Sequence, residues 1–128
     1  MKCLSIKQPF AELIVSGKKT IELRTWNTKF RGEFLMHASQ KLDKEICQLY
    51  NLDPNLLVRG AVIGKAILYD VKEYKSKKEF LADRNKHLAP ERYADHNYGF
   101  LIKDALRFDK PIYIPGRLNF FNVELRQR

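Results

Sequence analysis

Cysteine is scarce in this chain. Its 128 residues hold only Cys3 and Cys47, far apart and with no Cys-x-x-Cys pair, so two free thiols are expected rather than a disulfide or a zinc site. The three histidines, His37, His87 and His96, show no His-x-x-x-His or cysteine partner spacing, and neither a metal nor a cofactor is expected. A phosphate-binding glycine loop, a Gly-x-Ser-x-Gly elbow and a sequence-visible catalytic triad are all missing. The first residues hold no apolar run of signal-peptide form, and no segment approaches a membrane span. The expectation is a cytoplasmic or nuclear protein with no membrane partner. Repeats, linkers and low-complexity tracts are absent too.

What is present is a globular composition, 45% apolar and 12% aromatic, over a length that suits one domain, residues 1–128. The net charge is +9, and it is uneven. Residues 1–31 carry seven basic and two acidic side chains, residues 32–106 carry twelve and eleven, and residues 107–128 carry five and two. The excess lies at the two ends. If the fold brings them together they form one basic surface suited to a polyanion, with nucleic acid as the leading partner. The plain alternative is a basic protein that is merely soluble.

The densest information lies in residues 4–26. Pro9 suits the first turn of a short helix and Gly17 the position just past its end. Thr20 to Trp26 then alternates, with Ile21 and Leu23 on one face and Glu22, Arg24 and Trp26 on the other. Glu22 and Arg24 are neighbours two strand steps of roughly 3.3 Å apart, and Lys19 stands at the strand entrance within reach of both. Further on, Glu33 to Ala38 reads as a strand buried on both faces. Leu42, Ile46, Leu49 and Tyr50 mark one face of a helix that ends at Asn51 to Pro54. Ala61 to Val71 reads as a central strand with a bulge or bend at Gly64. Ser76-Lys77-Lys78-Glu79 has capping-box form ahead of a second surface helix. Residues 85–97 carry no period and read as a polar, mobile loop able to form a lid. Tyr98 to Ile102, Leu106 to Phe108, Pro111 to Ile114 and Leu118 to Leu125 read as separate short strands of a small closed sheet.

Gly17-x-Lys19-x-x-Glu22-x-Arg24 closely resembles the signature of the ASCH family, the domain named for homology to activating signal cointegrator-1. Leu4-Ser5-Ile6 with Gln8-Pro9, Arg31-Gly32 leading into a strand that ends His37-Ala38-Ser39, and Pro111-Ile112 with Gly116 look like that family in the same order. The resemblance implies an α+β fold: a PUA-like β-barrel of about five to seven strands with roughly two or three flanking helices. It also implies a cleft at one mouth lined by the signature residues, where the two basic ends would merge.

Lys19, Glu22 and Arg24 support two compatible accounts. They form a charge network that fixes strand register, or they lie in the cleft. There Lys19 and Arg24 would contact phosphate or a base edge, and Glu22 would accept from an exocyclic amine or orient the cations. Trp26 would stack on an unpaired base or pack in the barrel. Lys7, Gln8, Lys29 and Arg31 would frame the same mouth, and Arg117 belongs to the basic C-terminal stretch. The leading function is binding of RNA or single-stranded nucleic acid. The first alternative is a hydrolase acting on RNA or a modified nucleoside. Small bacterial acetylcytidine amidohydrolases share the Gly-x-Lys start, with their lysine at Lys19, but Glu22 stands at their threonine nucleophile and their glutamate has no motif match here. Other ASCH members are linked to ribonuclease activity, for which Lys19 would stabilise a phosphorane and Glu22 or His37 act as base. The second alternative is a protein-interaction module of coactivator type.

Overall fold

Apolar alternation at the N-terminus builds strand β1 (Lys2–Gln8), which buries Cys3, Leu4, Ile6 and Gln8. A computed structural model of the chain describes residues 1–125, so Arg126 and Arg128, two of the C-terminal cations, lie outside it. Helix α1 (Phe10–Val15) follows at once, with Pro9 at its N-terminal boundary and the Gln8 side-chain oxygen accepting from the Glu12 N–H at 3.0 Å. A six-residue helix has no stability of its own in water. This one exists because Phe10, Ala11, Leu13, Ile14 and Val15 are all buried, each large side chain contributing about 1.5–3 kcal/mol. Gly17, with φ at +84°, ends it, and the Gly17 and Lys18 N–H groups return to the carbonyls of Ile14 and Leu13. That turn feeds strand β2 (Ile21–Arg24).

The remaining elements are β3 (Gly32–Leu42), α2 (Lys44–Leu49), β4 (Ala61–Glu73), α3 (Lys77–Ala82), α4 (Arg84–His87), β5 (Tyr98–Tyr113) and β6 (Phe120–Asn122), with 3-10 turns at Pro54–Leu56 and Glu91–Tyr93. They form an α+β fold whose six strands make one mixed sheet in the order β2-β5-β4-β3-β1-β6. Among the described residues only the β1–β3 pair is parallel. α3 starts as its capping residues predict, with Ser76 Oγ accepting the Glu79 N–H at 3.1 Å.

The two longest strands carry the curvature. The β4–β5 ladder shifts register between Val62 and Gly64, Lys65 and Ile67, and Leu68 and Asp70, and such bulges add local twist. Gly64 permits one of them, because a Cβ there would lie 2.2 Å from the Leu106 carbonyl oxygen. The sheet curls far enough that Arg24 on β2 donates to the Ser5 carbonyl on β1 at 2.8 Å, although β5, β4 and β3 intervene. Trp26, just past β2, meets Phe120 of β6 edge to face at 5.9 Å.

Several expectations change here. The ladder does not close into the expected barrel, since β2 and β6 are the unpaired ends of the sheet among the described residues. At four and three residues they are too short to zip together, and side chains span the gap instead. Four short helices flank the sheet where two or three were expected. The three short strands expected between Tyr98 and Ile114 are one bent sixteen-residue strand. Residues 85–97 are an anchored wall rather than a polar loop: His87, Ala89 and Tyr93 are buried. Leu49, placed on the inner face of its helix by spacing, is exposed, and α2 buries Ile46 and Cys47 instead. Among the described residues no helix is long and apolar enough to cross a membrane, and no three His, Cys, Asp or Glu side chains are grouped to hold a metal ion.

Candidate functional site

Where the curled sheet brings β1, β2 and β3 towards the segments 87–96 and 113–119, a cleft of about 880 Å³ opens. Its floor grows from the turn after α1. The Lys19 N–H is tied to the Leu13 carbonyl at 2.9 Å, which directs the side chain inward. Lys19 is only 2% exposed. Its Nζ donates to the His87 carbonyl, lies 3.6 Å from Glu22 Oε1, and sits 4.6 Å from the centre of the Phe10 ring. Glu22 is also buried, and its Oε2 accepts from Arg24 Nη2 at 3.0 Å. That nitrogen also donates to Ser5, while Arg24 Nε is buried without a hydrogen-bond partner. Burial pulls the Lys19 ammonium down to about 8; the neighbouring Glu22 opposes the fall and Arg24 adds to it.

One wall is the 87–96 segment. His87 is fully buried and stacks on Phe80 at 4.3 Å. Its Nε2 donates to the Phe80 carbonyl at 2.7 Å, and its Nδ1 accepts from the Ala89 N–H at 3.0 Å. Burial lowers its pKa, so the ring stays neutral and keeps both bonds. Tyr93 donates to Asp43 Oδ2 at 2.5 Å, Arg92 grips both Asp43 oxygens at 2.9 and 2.7 Å, and Lys7 Nζ donates to the Tyr93 hydroxyl at 3.3 Å. Burial disfavours the Asp43 carboxylate, but the bonds from Tyr93, Arg92 and the Ile46 N–H outweigh it and hold the group below its ordinary range. Burial and then Asp43 push the Tyr93 hydroxyl up to about 12.

The opposite wall centres on His37. Its ring is 1% exposed, with Nδ1 2.9 Å from Ser5 Oγ and Nε2 2.8 Å from the Ile114 carbonyl. Gly116 closes over the pair. Exposed Lys41, Tyr113 and Arg117 form the rim.

Of the residues singled out from sequence, Lys7, Lys19, Glu22, Arg24, Trp26 and Arg117 line this one cleft. Three do not. Gln8 is fully buried, its amide committed to the Glu12 N–H and the Val58 carbonyl. Arg31 donates to its neighbours' carbonyls at Thr28 and Phe30 and lies 3.6 Å from Asp70. Lys29 is exposed outside the lining. Trp26 packs edge to face on Phe100 at 5.2 Å as well as on Phe120, so part of its ring is core. Ser5, Lys41, Tyr93 and Tyr113 also line the cleft, beyond the residues expected there. Ser5 had a signal, because it shares the alternation phase of Lys7 on β1; Tyr93 lay in the stretch read as polar loop.

Among the described residues the lining holds five cationic side chains, Lys7, Lys19, Arg24, Lys41 and Arg117, against the single carboxylate of Glu22. Fold and site together define a small α+β domain with a cationic cleft where the two ends of its curled sheet approach. The model of the ASCH domain matches residues 4–112, and the chain belongs to the ASCH family. It is 34% identical over 134 aligned residues to "Activating signal cointegrator 1" of Homo sapiens, covering 95% of this chain and 22% of that protein. The Mus musculus protein of the same name is 27% identical with the same coverage. The chain thus spans about a fifth of the length of these relatives. Among solved structures, ASCH from Zymomonas mobilis superposes with a TM-score of 0.69 at 20% identity, covering 96% of this chain and 87% of that one. A tyrosine-to-phenylalanine mutant of that protein gives 0.68 at 19% identity, covering 96% and 89%. These likenesses show the fold.

Proposed function

We propose that this domain binds RNA or another single-stranded nucleic acid in the cleft. The observation that carries the reading is the lining charge, five cations to one carboxylate, because phosphate neutralisation dominates nucleic-acid affinity. Two further features support it. Trp26, Tyr93 and Tyr113 put aromatic surface beside those cations, the combination that holds unpaired bases and their backbone. The ASCH fold is also related to the PUA fold of RNA-binding proteins. A cytoplasmic setting fits the two buried, unbridged thiols.

Titration against a fluorescent single-stranded RNA at several salt concentrations tests the reading. If Lys7, Lys41 and Arg117 each neutralise one phosphate, log affinity falls against log salt with a slope near −2, at about −0.7 per phosphate. Absence of binding at low salt overturns the reading, and an acidic protein partner, as for a coactivator module, becomes the better candidate.

A second reading is favoured by one feature, a buried lysine lowered to about 8 beside a carboxylate in a cleft. In it Glu22 activates water while Lys19 polarises a carbonyl or phosphoryl oxygen. Incubation with acetylcytidine and with RNA decides it: turnover abolished by both Lys19→Ala and Glu22→Gln supports it, and no turnover rejects it.

A further inference from the structure

Ser5 and His37 face each other across the parallel β1–β3 pair, in direct register. A carbonyl oxygen can only accept, so the His37 nitrogen facing Ile114, Nε2, carries the proton. In the neutral ring Nδ1 is then a lone pair, and the group it meets at 2.9 Å is the Ser5 hydroxyl, which donates to it. This is the arrangement of an activated nucleophile: a hydroxyl on a base whose other nitrogen is anchored by a third group. A backbone carbonyl fills the place that a carboxylate takes in a triad.

Two features of the surroundings point the same way. Gly116 carries an exposed, ordinary backbone conformation, yet a Cβ there would lie 2.9 Å from Ser5 Oγ and 2.8 and 3.1 Å from His37 Cε1 and Nδ1. Any side chain would press directly on the pair, and glycine leaves room for the half-buried Ser5 hydroxyl at the cleft wall. Arg24 donates to the Ser5 backbone carbonyl at 2.8 Å and lines the same cleft, and among the described residues its Nε is a buried donor without a partner.

We propose that Ser5 is a nucleophile, with His37 as its base, acting on carboxylic esters whose alcohol portion carries a phosphate. The phosphate requirement rests on the nucleic-acid reading of the cationic lining; the serine chemistry does not. In the reaction, Ser5 Oγ bonds to the acyl carbon and its proton passes to His37 Nδ1. As the ester C–O bond breaks, that proton goes to the departing alcohol oxygen. Water then attacks the acyl-serine, giving up a proton to His37 that returns to Ser5 Oγ, and a carboxylic acid leaves. The net change is ester plus water to acid plus alcohol.

A fluorophosphonate probe tests this on the whole chain, since Ser5 Oγ would bond to phosphorus as fluoride leaves, giving an adduct that mass spectrometry assigns to a residue. The expected result is an adduct on Ser5, absent in Ser5→Ala and formed about 100-fold more slowly in His37→Gln. Gly116→Val should also abolish labelling, by covering the hydroxyl, in protein whose melting curve shows it folded. No Ser5 adduct on folded wild-type protein overturns the proposal. So does labelling of folded His37→Gln, or of folded Gly116→Val, at the wild-type rate. Adenosine 5′-monophosphate should slow labelling. If Ser5 labels at full rate with the nucleotide present, the phosphate-bearing substrate class fails while the serine chemistry stands, and the nucleic-acid reading is decided separately by the RNA titration.

Discussion

Floor and rim of the cleft hold the same kinds of charge under opposite conditions. At the floor, Lys19, Glu22 and Arg24 are mostly out of water and bonded to one another and to the carbonyls of His87 and Ser5. At the rim, Lys41 and Arg117 are exposed to solvent. A charge kept from water interacts strongly with whatever lies beside it, and its loss strands its partner; an exposed charge is screened and costs little to remove. The floor therefore holds the fold together while setting a fixed positive field. The rim is where a polyanion can displace counterions. Lys19 belongs to both stories, since its bond to His87 pins the wall that narrows the cleft.

The largest effect should come from breaking the floor at its only carboxylate. Glu22→Ala leaves buried Lys19 and half-buried Arg24 without a counter-charge, and should cost about 3–5 kcal/mol, read from urea unfolding. A loss below about 1 kcal/mol would mean that the backbone carbonyls alone satisfy the two cations. The contrast with the rim would then disappear.

Next in size is the pH dependence of Lys19. Folding lowers its pKa from the ordinary 10.5 to about 8, chiefly by burial. Between those values the unfolded chain binds more protons than the folded one, so this group makes stability rise with pH across the window. Below about pH 8 both states are protonated and its contribution is level. Relative to Lys19→Met, the wild-type protein should gain up to about 3 kcal/mol between pH 8 and 10.5. A constant difference across that range would show that the ammonium is not penalised by burial.

The comparison also explains which parts of the site could be read from the chain. Lys19, Glu22 and Arg24 were legible because a glycine-ended helix and a period-2 strand fix their spacing locally. The groups that complete them were not. The carbonyl that receives Lys19 belongs to His87, and the base facing Ser5 is His37; neither distance along the chain leaves a periodic trace. The 85–97 stretch shows the same limit: His87 and Tyr93 look like loop residues until Phe80, Asp43 and the Ala89 N–H supply their partners. Barrel closure failed for a related reason, because strand lengths at the sheet ends depend on where side chains take over from the ladder. Arg31 stays out of the cleft for a simpler reason. Its nearest acceptors are its own neighbours' carbonyls and Asp70, which hold it outside the cleft.

The smallest stability effects, and the sharpest test of the contrast, belong to the rim. Lys41→Ala and Arg117→Ala each remove an exposed side chain and should change stability by no more than about 0.5 kcal/mol. Each should nevertheless flatten the salt dependence of RNA binding by about 0.7 in log–log slope, one phosphate contact on a single strand. Lys29→Ala and Arg31→Ala remove the same charge from outside the lining, so long-range attraction falls equally while no phosphate contact is lost. If all four variants flatten the slope alike, binding follows net charge rather than the cleft. If only Lys41 and Arg117 do so, the RNA backbone runs along this rim. The floor then supplies field and shape, and the exposed cations supply the exchange of counterions that drives binding.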